Sequence, residues 1–320
     1  MLKIFVFSLK TIGYFDKISM GWLNMNNNYD IIIVGAGASG IFTAYELSVL
    51  QSKAKVLIIE KGNSLEKRKC PIDGVKIKSC VHCKYCNIMN GYGGAGSLSD
   101  GKYNITNNFG GDLYKYVGKK EALDLMYYVD KVLCDNGGSD ARLYSTIEST
   151  LKTEALKHDL HLLDAQVRHL GTDRNVKILG NMYDYLKDKV EMKFNTEVIN
   201  IEKENDEFVL TTDKGEYKCE NLVVATGRSG SKWISNVCSK LGIESQSNRV
   251  DIGVRVELPA AVFEHITEKV YESKVVYRTK QYGDLVRTFC MNPHGEVVEE
   301  NTNGIVTVNG HSYSNPELHT

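Results

Sequence analysis

Proline is scarce in this chain. Only four occur in 320 residues, and no low-complexity tract, internal repeat or linker-like stretch stands out. A collagenous, solenoid or largely disordered protein is thereby excluded. An excess of one charge is missing too, since 39 basic residues face 40 acidic ones and leave a formal net charge of −1. General binders of nucleic acid or of anionic membranes carry a basic footprint, so neither partner is expected. No run of 18 apolar residues occurs, which excludes an uninterrupted spanning helix. The apolar stretch Ile4–Leu9 is short for a signal segment, and no small-residue cleavage site follows it. Residues 1–28 therefore read as an extension, with Met25 as an alternative start.

What the chain does have is a core and one strong motif. Hydrophobic residues make up 42% of it, and its length suits two domains or one domain with a large insertion. The β-branched run Ile31–Val34 reads as a buried strand that ends in Gly35-x-Gly37-x-x-Gly40. A helix is expected over 41–50, and a second apolar strand, 55–59, delivers Glu60. Gly35 permits the tight turn, Gly37 lets a pyrophosphate approach the backbone, and Gly40 lets the helix pack on the sheet. Ala38 and Ser39 then sit at the helix N-terminus, facing phosphate. Glu60 stands where a carboxylate accepts ribose hydroxyls. With strand, helix, strand and acid in register, the expectation is a dinucleotide site on an α/β fold.

Beyond Glu60 the alternation stops. The reading divides the chain into a first cofactor segment (29–110) with a cysteine-rich loop, a helical segment (111–189), a second cofactor segment (190–242) and an incomplete, mainly antiparallel substrate domain (243–320). One helix is expected over 111–133, broken at Gly137-Gly138, and another over 176–189. Short strands at 190–194, 196–202, 207–212 and 216–224 read as a β-meander rejoining the parallel sheet. A helix over 231–241 follows, and the remainder reads as strands, including 253–257.

Four further features carry candidate chemistry. The loop 91–104, GYGGAGSLSDGKYN, exposes successive backbone N–H groups, a nest for phosphate or the edge of a ring cofactor. The Ala225-Thr226-Gly227 turn ends a hydrophobic strand in small residues, where the chain can pass close to a bound dinucleotide. Cys70, Cys80, Cys83 and Cys86 fall within 17 residues. Zinc, an iron–sulfur cluster, a redox dithiol and a plain cysteine-rich loop all remain open for them. A nucleotide-binding chain of this kind suits a reducing, cytoplasmic compartment, so metal or redox roles outrank disulfides. Finally, RTFCMNPHGE (287–296) holds a tight turn at Asn292–Gly295, with Cys290 as a candidate thiol and His294 as a candidate proton shuttle. A polar hairpin turn with a buried cysteine is the plain alternative.

On IIIVGAGASG, on CPIDGVKIKSCVHCKYCNIMNGYGGAGSLSDGKYN, on HLGTD, VVATGRSG and VRVELP, and on VRTFCMNPHGEVVEENTNGIVTVNGHSY, the chain from Tyr29 onward resembles bacterial FAD-dependent dehydrogenases of the NAD(FAD)-utilising type. The resemblance implies a two-dinucleotide-fold flavoprotein: a Rossmann-like three-layer FAD/NAD(P)-binding domain with an inserted, mainly antiparallel β (α+β) domain. It implies non-covalent FAD and an unassigned substrate. Gly35, Gly37 and Gly40 would hold the pyrophosphate, and Glu60 the ribose, with Lys61 and Arg68 nearby. Gly94, Ala95, Gly96 and Ser97 would approach the flavin. Val198 would meet the adenine, and Ala225, Thr226 and Gly227 would line the cofactor. No second GxGxxG set between a strand and a helix is read in the sequence, so NAD(P)H would meet the flavin only transiently. Such folds close the site with a late strand–turn–helix bearing a Gly-Asp pair. None follows here, so the reading expects a C-terminally truncated chain that binds FAD weakly or not at all. A small-molecule substrate or an electron-transfer partner is expected. The rival readings are a non-redox FAD-dependent RNA-modifying enzyme or nucleotide-binding synthase, and an inactive fragment or cysteine-based redox sensor.

Overall fold

The computed structural model describes residues 27–99, 101–247, 251–302 and 305–312. The N-terminal extension expected at 1–28 therefore lies almost wholly outside them, as do Asp100 and the last eight residues. The chain forms two compact units, Met1–Leu98 with Leu179–Arg249, and Ser99–Ile178 with Val250–Thr320. These junctions differ from the boundaries read from the sequence. Most of the helical segment joins the C-terminal region in one unit, because strand pairing brings 161–162 to 275–276. The helix Thr172–Leu186 carries the chain across the junction.

The first unit is built on a six-stranded sheet. Strand β1 (Asn28–Val34) runs parallel to β2 (Val56–Ile59), and β2 parallel to β3 (Glu191–Lys193). On the other side of β1, the ten-residue β6 (Gly215–Val224) is again parallel. Two antiparallel strands, β4 (Val198–Glu204) and β5 (Glu207–Thr212), complete the meander, giving the order β3-β2-β1-β6-β5-β4. The expected meander thus does rejoin the parallel sheet.

Both faces of the parallel strands are covered, which is why β1 and β2 are continuous apolar runs rather than alternating ones. Helix α1 (Ala38–Val49) buries Ile41, Ala44 and Leu47, and Gly40 sits against Ile33. The opposite core joins Ile32, Val34, Leu57 and Ile59 to the meander residues Val198, Ile201 and Leu210 and to Val237 of helix α2 (Ser231–Lys240). Three layers result, in a Rossmann-like dinucleotide-binding fold.

The second unit is mixed. Lys102–Ile105, Gln166–His169 and Leu143–Ser145 form one antiparallel sheet, and Leu285–Arg287, Val275–Arg278 and His161–Leu162 another. Gly295–Thr302 and Ile305–Ser312 make a hairpin. Three expectations are corrected here. The single helix over 111–133 is two, Leu113–Val117 and Lys119–Leu133, because Gly118 takes φ +89° between them. Residues 253–257 form no strand: their alternation finds no partner ladder, and Val254 is 89% exposed. The stretch Ala260–Val270, folded into the strand-rich remainder by the sequence reading, is a helix.

Candidate functional site

The first glycine turn closes on the C-terminal ends of β1, β2 and β6. Gly35 donates its N–H to Ile59 O at 2.8 Å, and Ala225 donates to Val34 O at 2.8 Å. Gly35 has φ +104°, and a Cβ there would lie 2.5 Å from Ala225 O. Only glycine fits both demands. Helix α1 then starts at Ala38 with Gly37 as its N-cap, and no side chain caps it. Its first amides are turned toward whatever lies beyond the turn, and the helix dipole favours an anion there.

The second glycine loop packs onto the first. Gly93 donates to Ala36 O at 2.7 Å, and a Cβ on Gly94 would lie 3.0 Å from Gly37 Cα. Gly94–Gly96 forms a single tight turn, entered from Gly93 in the left-handed region. Around this junction the glycines divide into two sorts. Gly35, Gly40 and Gly93 are crowded by neighbouring atoms, whereas Gly96 and Gly227 face open space within 4 Å and Gly37 touches only Gly94. Open glycines at a helix N-terminus and at the end of β6 leave main chain that a pyrophosphate can approach closely.

Glu60 is buried at 7% exposure immediately after β2. Its Oε2 accepts from Ala36 N at 2.9 Å, and its Oε1 accepts from Gly62 N at 2.8 Å and Gly91 N at 3.0 Å. Three of the roughly four acceptor positions of the carboxylate are thus taken. The same carboxylate ties the first glycine turn to the second loop. Lys61 follows it, half-buried. Thr196 N donates to Glu60 O at 3.0 Å, so the chain passes Glu60 on its way into β4. Val198, two residues on, is buried in the meander core.

Arg68 sits differently from a phosphate-binding arginine. It is 5% exposed, and its guanidinium is spent on protein atoms. Nε donates to Asn87 O at 2.9 Å and Nη2 to Ile88 O at 2.7 Å, while Nη1 reaches Tyr92 O at 2.7 Å, Gly94 O at 2.8 Å and Ser97 Oγ. Burial lowers its pKa, and Glu60 opposes that shift. Arg68 is a clamp on the glycine loop, and Ser97, fully buried, is one of the groups it holds.

The four clustered cysteines do not converge. Cys70, Cys80, Cys83 and Cys86 are all free and exposed, and among the described residues no three His, Cys, Asp or Glu side chains are grouped to hold a metal. Of the alternatives left open for them, zinc and an iron–sulfur cluster gain no support from this arrangement: the thiols lie along an open loop, and spacing alone does not aim them at one point. Cys290 and His294 fall in the second unit. Cys290 is half-buried with its carbonyl accepting from Arg255 Nη1 at 3.1 Å. His294 is exposed at φ +54° in the expected turn, which Gly295 N closes on Asn292 O.

The second unit also holds charged groups that the sequence reading passed over. Lys102 and Lys274 both pair with Glu272, at 2.7 and 3.1 Å, with side-chain exposures of 9%, 3% and 0%. Next to them Tyr271, at φ +56°, stacks on His169, and its hydroxyl lies 2.9 Å from the imidazole Nε2. Nothing in the local sequence pairs residues so far apart.

Two family models match this chain. Residues 33–83 match an NAD(P)-binding Rossmann-like domain, and residues 161–244 match pyridine nucleotide-disulphide oxidoreductase. They cover the glycine turn with Glu60, and the meander with the Ala225–Gly227 turn. No curated protein matches. Among solved structures, glycine oxidase from Geobacillus kaustophilus is 17% identical over 68% of this chain and 59% of its own, with a TM-score of 0.40. L-amino acid deaminase from Proteus vulgaris is 16% identical over 71% and 59%, at 0.39. L-alpha-glycerophosphate oxidase from Mycoplasma pneumoniae, with FAD bound, is 18% identical over 66% and 56%, at 0.37. The chain thus spans under two thirds of the length of each. Scores this low bear on neither substrate nor reaction.

Proposed function

We propose that the first unit holds FAD non-covalently and serves a cytoplasmic oxidoreductase. The observation that carries this reading is the uncapped N-terminus of α1 set against the second glycine loop, with Glu60 buried between them. Bound there, FAD would supply hydride and electron transfer, which side chains alone do not perform. The protein's part is to bind and orient. Gly37, Ala38 and Ser39 would present backbone N–H groups to the pyrophosphate. Glu60 would accept from a ribose hydroxyl, held in place by its three backbone donors. Gly96 and Ala225–Gly227 would let the cofactor lie close to the main chain. Arg68 would fix the loop without touching the ligand. A small molecule or an electron-transfer partner would exchange electrons with the flavin, and NAD(P)H would approach it only transiently. The matched oxidoreductase segments support this reading at the level of the nucleotide fold.

The test is a titration of the full chain with FAD, followed by quenching of flavin fluorescence and competed with ADP. The expected result is weak but saturable quenching that ADP reverses, weakened at least tenfold further in Gly37→Val. Quenching unaffected by ADP, or unchanged in Gly37→Val, would overturn the assignment.

A further inference from the structure

Four cysteines crowd one loop of the first unit, and packing does not account for them. Cys219 and Cys238 are buried, as cysteines that serve a core are, but Cys70, Cys80, Cys83 and Cys86 are all exposed and contribute nothing to it. No three potential ligands gather there among the described residues. Free, exposed thiols separated by two residues in sequence have the chemistry of a dithiol.

The loop is also tied to the candidate nucleotide site. Cys86 O accepts from Met89 N at 3.1 Å and Asn90 N at 2.8 Å, so Cys86 opens a tight turn. The next two residues give their carbonyls to Arg68, and Asn87 Oδ1 accepts from Asn63 Nδ2 at 2.8 Å. The same guanidinium holds Tyr92 O, Gly94 O and Ser97 Oγ. A guanidinium is a rigid plane, so its donors move together. Any shift of Asn87 and Ile88 is passed to the glycine loop that packs on Gly37.

We propose that Cys83 and Cys86 form a reversible dithiol–disulfide pair that exchanges with low-molecular-weight disulfides of the glutathione class, and that Arg68 transmits its state to the glycine loop. Cys83 thiolate attacks one sulfur of the disulfide reagent and expels one thiol. Cys86 thiolate then attacks the mixed disulfide and expels the second. The protein loses two electrons and two protons, the reagent becomes two thiols, and one intraloop S–S bond forms. Closing it requires the two Cα atoms to stand about 4.4–6.8 Å apart. The closure draws Cys86 toward Cys83 and pulls Asn87 and Ile88 off the clamp. In a reducing compartment the pair stands open, and the disulfide is the signal. Cys80 is not chosen although it too is three residues from Cys83, because only Cys86 adjoins the carbonyls that Arg68 holds.

The pairing itself does not depend on the flavin reading, and it is tested without any nucleotide. The full chain is equilibrated with oxidised glutathione, its free thiols are blocked, and its peptides are weighed. Amide hydrogen exchange is followed over residues 91–97 in parallel. The expected result is a 83–86 peptide lighter by two hydrogens, with exchange over 91–97 at least fivefold faster and restored by dithiothreitol. Cys86→Ser is expected to abolish both effects, and Cys70→Ser neither. Stable mixed disulfides at all four cysteines, a bond joining Cys80 to Cys83, or unchanged exchange in the oxidised chain would each overturn the proposal. Whether oxidation then weakens ADP binding is a separate reading. Its failure alongside a confirmed disulfide and faster exchange would count against the nucleotide site rather than the thiol pair.

Discussion

Replacing Arg68 by methionine removes the clamp while keeping much of its aliphatic stem. Five acceptors lose the guanidinium: the carbonyls of Asn87, Ile88, Tyr92 and Gly94, and Ser97 Oγ. A hydrogen bond to a charged group contributes about 1.5–3 kcal/mol, but the full sum does not apply here. The carbonyls of Asn87, Ile88 and Gly94 are only partly buried, so water replaces the guanidinium there at small cost. The contacts to Tyr92 O and Ser97 Oγ are buried, and those acceptors stay dry. Each dry, unsatisfied group costs about 1–3 kcal/mol, which puts Arg68→Met near 4 kcal/mol of destabilisation. With a urea m-value of about 2 kcal/mol/M, the midpoint should fall by about 2 M. Trp233 reports on this unit, since its Nε1 donates to Ile199 O at 2.9 Å, and Trp22→Phe removes the second indole signal. Arg68→Lys keeps the charge on a single nitrogen that cannot span from Asn87 to Ser97, so it should recover less than half of the loss. A midpoint for Arg68→Met within about 0.3 M of the parent would refute the clamp.

Other outcomes follow from the same structure. In Gly40→Ala the new Cβ would overlap Gly35 O, prising α1 from the turn; stability should fall by about 2–4 kcal/mol in the same urea assay, and ADP binding should be lost with it. Glu272→Ala strips two buried lysines of their carboxylate, so about 3–5 kcal/mol should be lost, read by calorimetry as a melting transition lowered by roughly 6–12 °C. Glu272→Leu combined with Lys274→Met should recover part of that loss, and a double variant no better than Glu272→Ala would show that charge is not the cause. Burial pushes the Cys219 thiol from its ordinary 9.0 up to about 12. Because the folded pKa is raised, the contribution of this thiol is complete below about pH 9 and is lost as pH rises toward 12. Cys219→Ala should therefore show a shallower alkaline decline in urea stability, and an unchanged slope would contradict it.

The dinucleotide turn was legible because its causes are local. Gly35, Gly37, Gly40 and Glu60 lie within 26 residues, and each is required by turn geometry or strand position. The meander was legible for the same reason, since short alternating strands separated by turn residues have few ways to pair. Helix ends proved less readable. Gly118 looks like one glycine inside a periodic helix, and only its left-handed φ shows that the chain must break there. Arg68 misled in a more instructive way. A basic residue soon after a nucleotide fingerprint reads as a cofactor contact. Its guanidinium instead meets four carbonyls 19 to 26 residues downstream and Ser97 Oγ beyond them, whose convergence no local pattern records.

The second unit resisted reading because its contacts are long-range. Strand 161–162 pairs with 275–276, and Lys102 meets Glu272 across 170 residues. Composition predicts that such lysines lie in solvent, and only tertiary pairing makes their burial tolerable. The same holds for Tyr271, whose left-handed backbone is unfavourable for an aromatic residue by itself. Stacking on His169 and the bond to its ring offset that cost, and the segment 271–274 is held by groups from two distant parts of the chain, residues 102–109 and His169. In the first unit, by contrast, Glu60 and Arg68 bind mostly backbone atoms of neighbouring turns. The nucleotide site is thus fixed by short-range geometry that a motif can encode, whereas the character of the second unit rests on side chains that meet only after folding. The buried Lys102–Glu272–Lys274 cluster and the His169–Tyr271 pair are where distant residues have been brought together at an energetic cost.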